Sequence, residues 1–212
     1  MRNNSKGLIL IGLLLIAAAF FLVAYNFYSD RQAKEAVKDV VDLMEDLLPE
    51  KEETTNSKTP ETSAHYEEIE IPNYILNPEM DMPVETIDGN DYIGVLEFPS
   101  LELKLPIISE WSYPRLKIAP CRYEGSAYTN DLIISGHNYT SHFGKLQNLS
   151  AGDIVIFTDI EGNEFIYEVV ELEILKPTSI EEMKSGDWAL SLFTCTLSGQ
   201  TRLTVRCELV DE

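Results

Sequence analysis

The sequence predicts a mainly β domain, a sandwich or a barrel, held behind an N-terminal membrane anchor. Three observations carry this. From Asp88 onward, short β signals recur at regular spacing with turn residues between them. From Gly7 to Ser29 the chain has no charged residue. Between these regions, "EKEETTNSKTPETSA" (Glu50 to Ala64) has no aliphatic residue beyond one terminal alanine, and such a segment cannot bury enough apolar surface to fold alone.

The uncharged run is long enough to span a bilayer as a helix, which takes about 20 apolar residues. A cleavable signal peptide also starts basic, but its apolar core is only about 7 to 15 residues long and ends at a small-residue site. Here Ala17 to Ala19 lie inside the run, followed by Phe20, Phe21, Leu22 and Val23, so retention as an anchor is expected. Basic N-termini tend to stay inside, which makes residues 1–6 cytoplasmic, residues 7–28 a single membrane span and the remainder extracellular. Arg31 and Lys34 weaken that asymmetry.

Beyond the span, Ala33, Ala36, Val37, Val40, Val41, Met44, Leu47 and Leu48 recur at helical spacing up to Pro49. This predicts an amphipathic stalk helix over 29–49; self-association, or packing on the exported domain, are the other uses of its apolar face. Residues 50–87 read as linker and lead-in, interrupted by Pro72, Pro78 and Pro83, and "DGND" turns the chain into the first strand. The expected strands are "YIGVLEF", "LELKLPII", "DLIISGH", "DIVIFTD", "EFIYEVVELEIL", "WALSLFTC" and "TRLTVRCELV", the fourth and fifth forming a hairpin across Glu161, Gly162 and Asn163. Residues 88–212, about 125 in all, fit one domain.

The net charge is −20 and Arg2 and Lys6 are the only charges before Asp30, which leaves −22 on the exported part. This argues against a nucleic-acid partner, since duplex affinity comes mainly from Lys and Arg on phosphates. The acidity reads as solubility and repulsion from anionic surfaces. The three cysteines, Cys121, Cys195 and Cys207, are too few for a disulfide framework, and an odd count leaves at least one thiol free. A Cys121–Cys207 bridge would make Cys195 that thiol, although nothing in the sequence brings the pair together.

His137 ends the strand in "LIISGHN", beside a glycine, where a scaffold presents side chains to a cleft. Cys195 ends "WALSLFTC" in the same way. A nucleophilic cysteine needs an ion-pair or base partner, an oxyanion donor and partial exposure; a buried cysteine needs none of these. Arg202 follows the turn "TLSGQ", and an antiparallel hairpin there would bring it beside Cys195. Arg206, four positions on, falls on the same strand face and competes with it. His65 and His142 sit in polar segments and are read as non-functional.

The order His, Cys, Arg, within "SGHN", "SLFTC" and "RLTV", closely resembles the sortases, membrane-anchored cysteine transpeptidases of Gram-positive bacteria. Their usual Thr-Leu-x-Thr-Cys is matched from Ser191 to Cys195 except at Ser191, which keeps the hydroxyl. "YIGVLEFPSLELKLPI" and "FGKLQNLSAGDIV" resemble further family segments, so the likeness runs from Tyr92 to the C-terminus. It implies a closed eight-stranded β-barrel with short helices, and catalytic roles for His137, Cys195 and Arg202. Thr194, Ser191 and Asn138 beside them are expected to touch substrate.

The implied reaction cleaves an LPxTG-like sorting signal through a thioacyl intermediate and passes the protein to an amine of a peptidoglycan precursor or cross-bridge. No cofactor or metal is required; some sortases bind calcium near the groove, but Glu181, Glu182 and Asp187 read first as a solvated acidic loop. The segment Thr178 to Asp187 lacks the long helical insertion of class B enzymes, and no second span follows Cys207 as in class C, so cell-wall anchoring is favoured over pilus building. Neither the Ser-His-Gly-Cys cluster of L,D-transpeptidases nor the Cys-before-His order of papain-like peptidases is present. The non-enzymatic alternative is a membrane-tethered β-domain with Cys195 buried and Arg202 in a salt bridge.

Overall fold

A computed structural model describes residues 4–47 and 71–210. The expected Pro49 helix end, the polar spacer and His65 lie outside them. Helix α1 runs unbroken from Asn4 to Leu47, so the expected span and the helix beyond it are one element. The stretch from Gly7 is long and apolar enough to cross a membrane, and none of its most apolar window is covered by protein. Residues 7–28 rise about 33 Å at 1.5 Å per residue, against about 30 Å of bilayer hydrocarbon.

Of the uses open to the apolar face of the stalk helix, the structure shows packing on the barrel. Ala33, Val37, Val40, Val41 and Met44 are all buried, Val37 and Val41 with the main core and Val40 and Met44 in a second cluster with Tyr92, Val95, Ile108 and Cys121. Each Val or Met so buried contributes about 1.5–3 kcal/mol, enough in sum to hold the helix on the domain. At its far end Glu45 pairs with Lys104 at 2.9 Å.

Among the described residues, nine strands follow in one sheet. They are β1 (Glu85–Ile87), β2 (Asn90–Phe98), β3 (Leu103–Ile108), β4 (Cys121–Glu124), β5 (Leu132–Gly136), β6 (Ile154–Asp159), β7 (Glu164–Leu175), β8 (Leu190–Cys195) and β9 (Arg202–Leu209). In the order β2-β3-β4-β5-β8-β9-β7-β6 the first and last also pair, which closes an eight-stranded barrel. Closure leaves these strands no free edge. The β3–β4 and β5–β8 pairs are parallel and the others antiparallel.

Two strands escaped the sequence reading. The lead-in before Asp88 contains a one-turn helix, α2 (Asn73–Leu76), and β1, which pairs with β2 across Asp88 and Gly89. Both turn residues have positive φ, 50° and 77°, the two-residue hairpin geometry that Asp-Gly favours. Strand β4 is only four residues long, between Pro120 and Gly125, and carries no alternation a pattern could reveal. The β6–β7 hairpin forms as expected.

Candidate active site

Strand register brings the three expected residues together. β5 and β8 run in parallel up to the pair Gly136↔Thr194, so His137 and Cys195 are the next residues on adjacent strands. β8 and β9 are antiparallel, and Cys195 faces Arg202 as a direct cross-strand partner. Such partners have Cβ atoms about 4.5–5.5 Å apart. Position 136 takes only a small residue, since a Cβ there would stand 2.6 Å from the Phe143 ring.

Cys195 is half-buried, between two cavities that it helps to line. One, of about 260 Å³, is bounded by His137, Arg202, the aromatic side chains Trp111, Tyr113, Tyr123 and Phe193, and the segment from Lys176 to Met183. The other, about 320 Å³, includes Asn138, Gly144, Gln147, Thr196 and Ser198. Neither has a carboxylate in its lining, although the chain carries a net charge of −20.

The aromatic wall of the first cavity was missed from sequence. Trp111 meets Tyr113 and Tyr123 at centroid distances of 4.9 and 6.0 Å, and Tyr123 meets Phe193 edge-on at 5.3 Å. "EWSYP", with two aromatic residues in a loop lacking any strand pattern, was the available signal.

His137 is half-buried and stacks on Tyr139 at 4.8 Å and 27°. Burial, and secondarily the nearby Lys117 ammonium, hold its imidazole below the usual histidine range, so the neutral form is favoured. Arg202 donates from Nη1 to the carbonyls of Thr201 and Gly199, at 3.2 and 3.4 Å. Its Nε and Nη2 have no hydrogen bond among the described residues.

The expected substrate contacts divide. Asn138 lines the second cavity. Ser191 is only 2% exposed and accepts a hydrogen bond from Arg206 Nη1 at 2.8 Å, so its hydroxyl is engaged inside the protein and the expectation of a substrate contact is corrected. Thr194 is 3% exposed, its Oγ1 without a partner among the described residues. Pleating turns its side chain to the face opposite Cys195, while the residue itself lines both cavities.

Arg206 shares a strand face with Arg202, as its spacing required, but lies beneath the loop carrying helix α3 (Ile180–Lys184). It donates to Glu173 Oε1, Met183 O and Glu182 O at 2.7–2.8 Å, besides Ser191. This loop forms one wall of the first cavity, so Arg206 shapes the site without facing it. No group of three or more His, Cys, Asp or Glu converges as a metal site among the described residues. Cys121 and Cys207 are buried free thiols, and no bridge joins them.

His142, which sits in a polar segment of the sequence, is fully buried. Neither ring nitrogen has a hydrogen-bond partner among the described residues, and burial, with His137 adding repulsion, lowers its pKa to about 4. An unfolded histidine takes its proton near 6.5, so between about pH 6.5 and 4 the unfolded state binds a proton that the folded state refuses. Stability is therefore lost as pH falls through this window, by up to about 3 kcal/mol. Chemical denaturation at pH 7 and 4.5 should show a smaller acid loss in His142→Phe than in the parent chain.

Residues 96–210, more than half of the chain, match the family model for the sortase domain. This chain belongs to the sortase family. Over 200 residues it is 22% identical to sortase A of Bacillus anthracis, an alignment covering 91% of this chain and 89% of that one. The barrel also matches sortase A from Corynebacterium diphtheriae at 21% identity and TM-score 0.53, over 58% of this chain and 62% of that one. Clostridium perfringens sortase C, solved with the C-terminal cell wall sorting motif, matches at 27% identity and TM-score 0.51, over 58% and 72%. The closed barrel thus corresponds to the sortase fold.

Proposed function

We propose that this sortase is a membrane-anchored cysteine transpeptidase that cleaves an LPxTG-like sorting signal and joins the released protein to a cell-wall amine. The observation that carries the reading is the register placing His137, Cys195 and Arg202 at neighbouring strand ends, where two cavities meet. The uncharged part of α1 anchors the protein, with its N-terminus cytoplasmic and the barrel outside.

In the first half-reaction the Cys195 thiol gives its proton to neutral His137, and the sulfur attacks the scissile carbonyl. The resulting oxyanion is stabilised by Arg202, whose charge persists at any accessible pH. As the tetrahedral intermediate collapses, the C–N bond breaks and His137, now imidazolium, returns the proton to the leaving amine. A thioester on Cys195 remains. In the second half-reaction an acceptor amine approaches through the cavity lined by Asn138 and Thr196, loses a proton to His137 and attacks the thioester, and Cys195 leaves to be reprotonated. No cofactor enters this scheme.

The aromatic cavity suits the apolar part of the signal, and the cavity where Asn138, Gln147, Thr196 and Ser198 offer hydrogen-bonding groups suits an amine-bearing peptide. The short segment between β7 and β8 and the compact β8–β9 turn favour surface-protein anchoring over pilus assembly.

Incubation of the full chain with a library of sorting peptides, followed by mass spectrometry, tests the reading. The expected product is an adduct on Cys195 equal in mass to the N-terminal part of one peptide; no adduct from any peptide would overturn it. Arg202→Lys keeps the charge but loses the planar fork and should lower kcat/KM about 100-fold. Its melting temperature should stay unchanged, because the Arg202 side chain bonds only to its own turn.

A further inference from the structure

The loop that carries His137 is held from outside the barrel. Asp30 lies on α1 immediately after the uncharged run. Its carboxylate accepts from the Thr140 hydroxyl at 2.9 Å, and from the Ser141 hydroxyl and backbone N–H at 3.2 and 3.3 Å. Its own main-chain carbonyl accepts from the Ser141 hydroxyl at 3.3 Å. These bonds join parts of the chain 110 and 111 residues apart.

Thr140 and Ser141 form the tip of a tight turn. His142 N–H donates to Tyr139 O at 3.0 Å, Phe143 N–H to His137 O at 3.0 Å and Gly144 N–H to Tyr139 O at 2.8 Å. Inside it the Tyr139 ring lies against His137 at 4.8 Å and leans on buried His142 at 5.4 Å. Moving the tip therefore moves Tyr139, and with it one face of the His137 ring. Burial raises the Asp30 pKa, but the bonds from Thr140 and Ser141 outweigh it and hold the carboxyl below its ordinary value. The ionised carboxylate is the form the clamp favours.

We propose that Asp30 is a positioning residue for His137, through which the anchor helix fixes the imidazole of a site otherwise built from the barrel alone. The inference rests on the acid-base reading of His137. Helix docking does not depend on Asp30, because Val37, Val40, Val41 and Met44 hold α1 farther along. Asp30 follows Tyr28 by about 3 Å of helix rise, so the turn behind His137 sits where the helix leaves its apolar run.

The test uses the full chain in lipid nanodiscs, with the sorting peptide that forms the Cys195 adduct and with hydrogen exchange of the 139–144 amides as a readout independent of turnover. Asp30→Ala should lower kcat about tenfold, by misplacing His137, and leave KM within twofold, since neither Thr140 nor Ser141, which bond to Asp30, lines either cavity. Asp30→Asn keeps one acceptor oxygen and should recover part of the loss. Exchange at Ser141 and His142 should speed up at least about tenfold in Asp30→Ala, the expected release of a hydrogen bond to a charged group.

Thr140→Val with Ser141→Ala should match Asp30→Ala, and combining all three should add nothing further. Unchanged kcat, a loss carried by KM alone, multiplying losses or unchanged exchange would each overturn the proposal. If the parent chain turns over no peptide, the catalytic reading fails and the exchange measurement decides the clamp: acceleration in Asp30→Ala supports it, and unchanged protection overturns it.

Discussion

Replacing Cys195 with alanine should abolish the thioacyl adduct and lower peptide cleavage by about 10⁴-fold or more, the scale of loss when a covalent nucleophile is removed. The fold should not suffer. Cys195 is half-buried at a strand end, and its thiol makes no hydrogen bond among the described residues. The other two cysteines sharpen the experiment. Burial pushes the Cys121 and Cys207 thiols up to about 12, so at neutral pH they remain protonated as well as enclosed. A thiolate-selective reagent such as iodoacetamide should therefore label the parent chain once, and Cys195→Ala not at all. Labelling of the alanine variant, or cleavage surviving in it, would return the protein to the class of tethered binding domains. His137→Ala bears on the same point, since the thiol would lose the neutral acceptor that burial maintains.

The central hairpin was legible because its information is local. "TLSGQ" with Gly199 at φ 70° defines the turn, and counting outward from it pairs Cys195 with Arg202, as the register has it. His137 was legible only as a strand end, because the parallel β5–β8 pairing that sets it beside Cys195 joins segments more than fifty residues apart. What could not be read depended on elements covering other elements. His142 sits in a polar string, "NYTSHFGK", yet is fully buried, because the loop doubles back on itself and α1 bonds to its tip. Ser191 and Arg206 look like surface groups on a strand until the α3 segment closes over them. The apolar stripe of α1 was visible, but a stripe does not name what it faces.

Arg206→Met should destabilise the domain by about 3 kcal/mol, the cost of leaving buried carbonyl and hydroxyl acceptors without their charged donor, with a fall of roughly 10 °C in melting temperature. Methionine approximates the stem of arginine and tolerates the apolar neighbourhood, so the loss is chiefly one of bonds rather than volume. Four acceptors lose their donor: Glu173, Ser191 and the carbonyls of Glu182 and Met183. The Glu173 side chain is 33% exposed and can regain water. The carbonyls on the α3 segment are the groups left to find new partners, so that segment should loosen first. Hydrogen exchange should then rise across residues 179–187 while the β8–β9 pairs keep their protection. Because Lys176, Pro177, Ser179, Ile180 and Met183 wall the first cavity, the surviving folded enzyme should show a raised KM with kcat little changed. Arg202→Lys should do the reverse, losing rate without stability. Two arginines four residues apart on one strand are thus separable by experiment, and an Arg206→Met variant that melts with the parent would mean that the α3 segment is held by something other than this network.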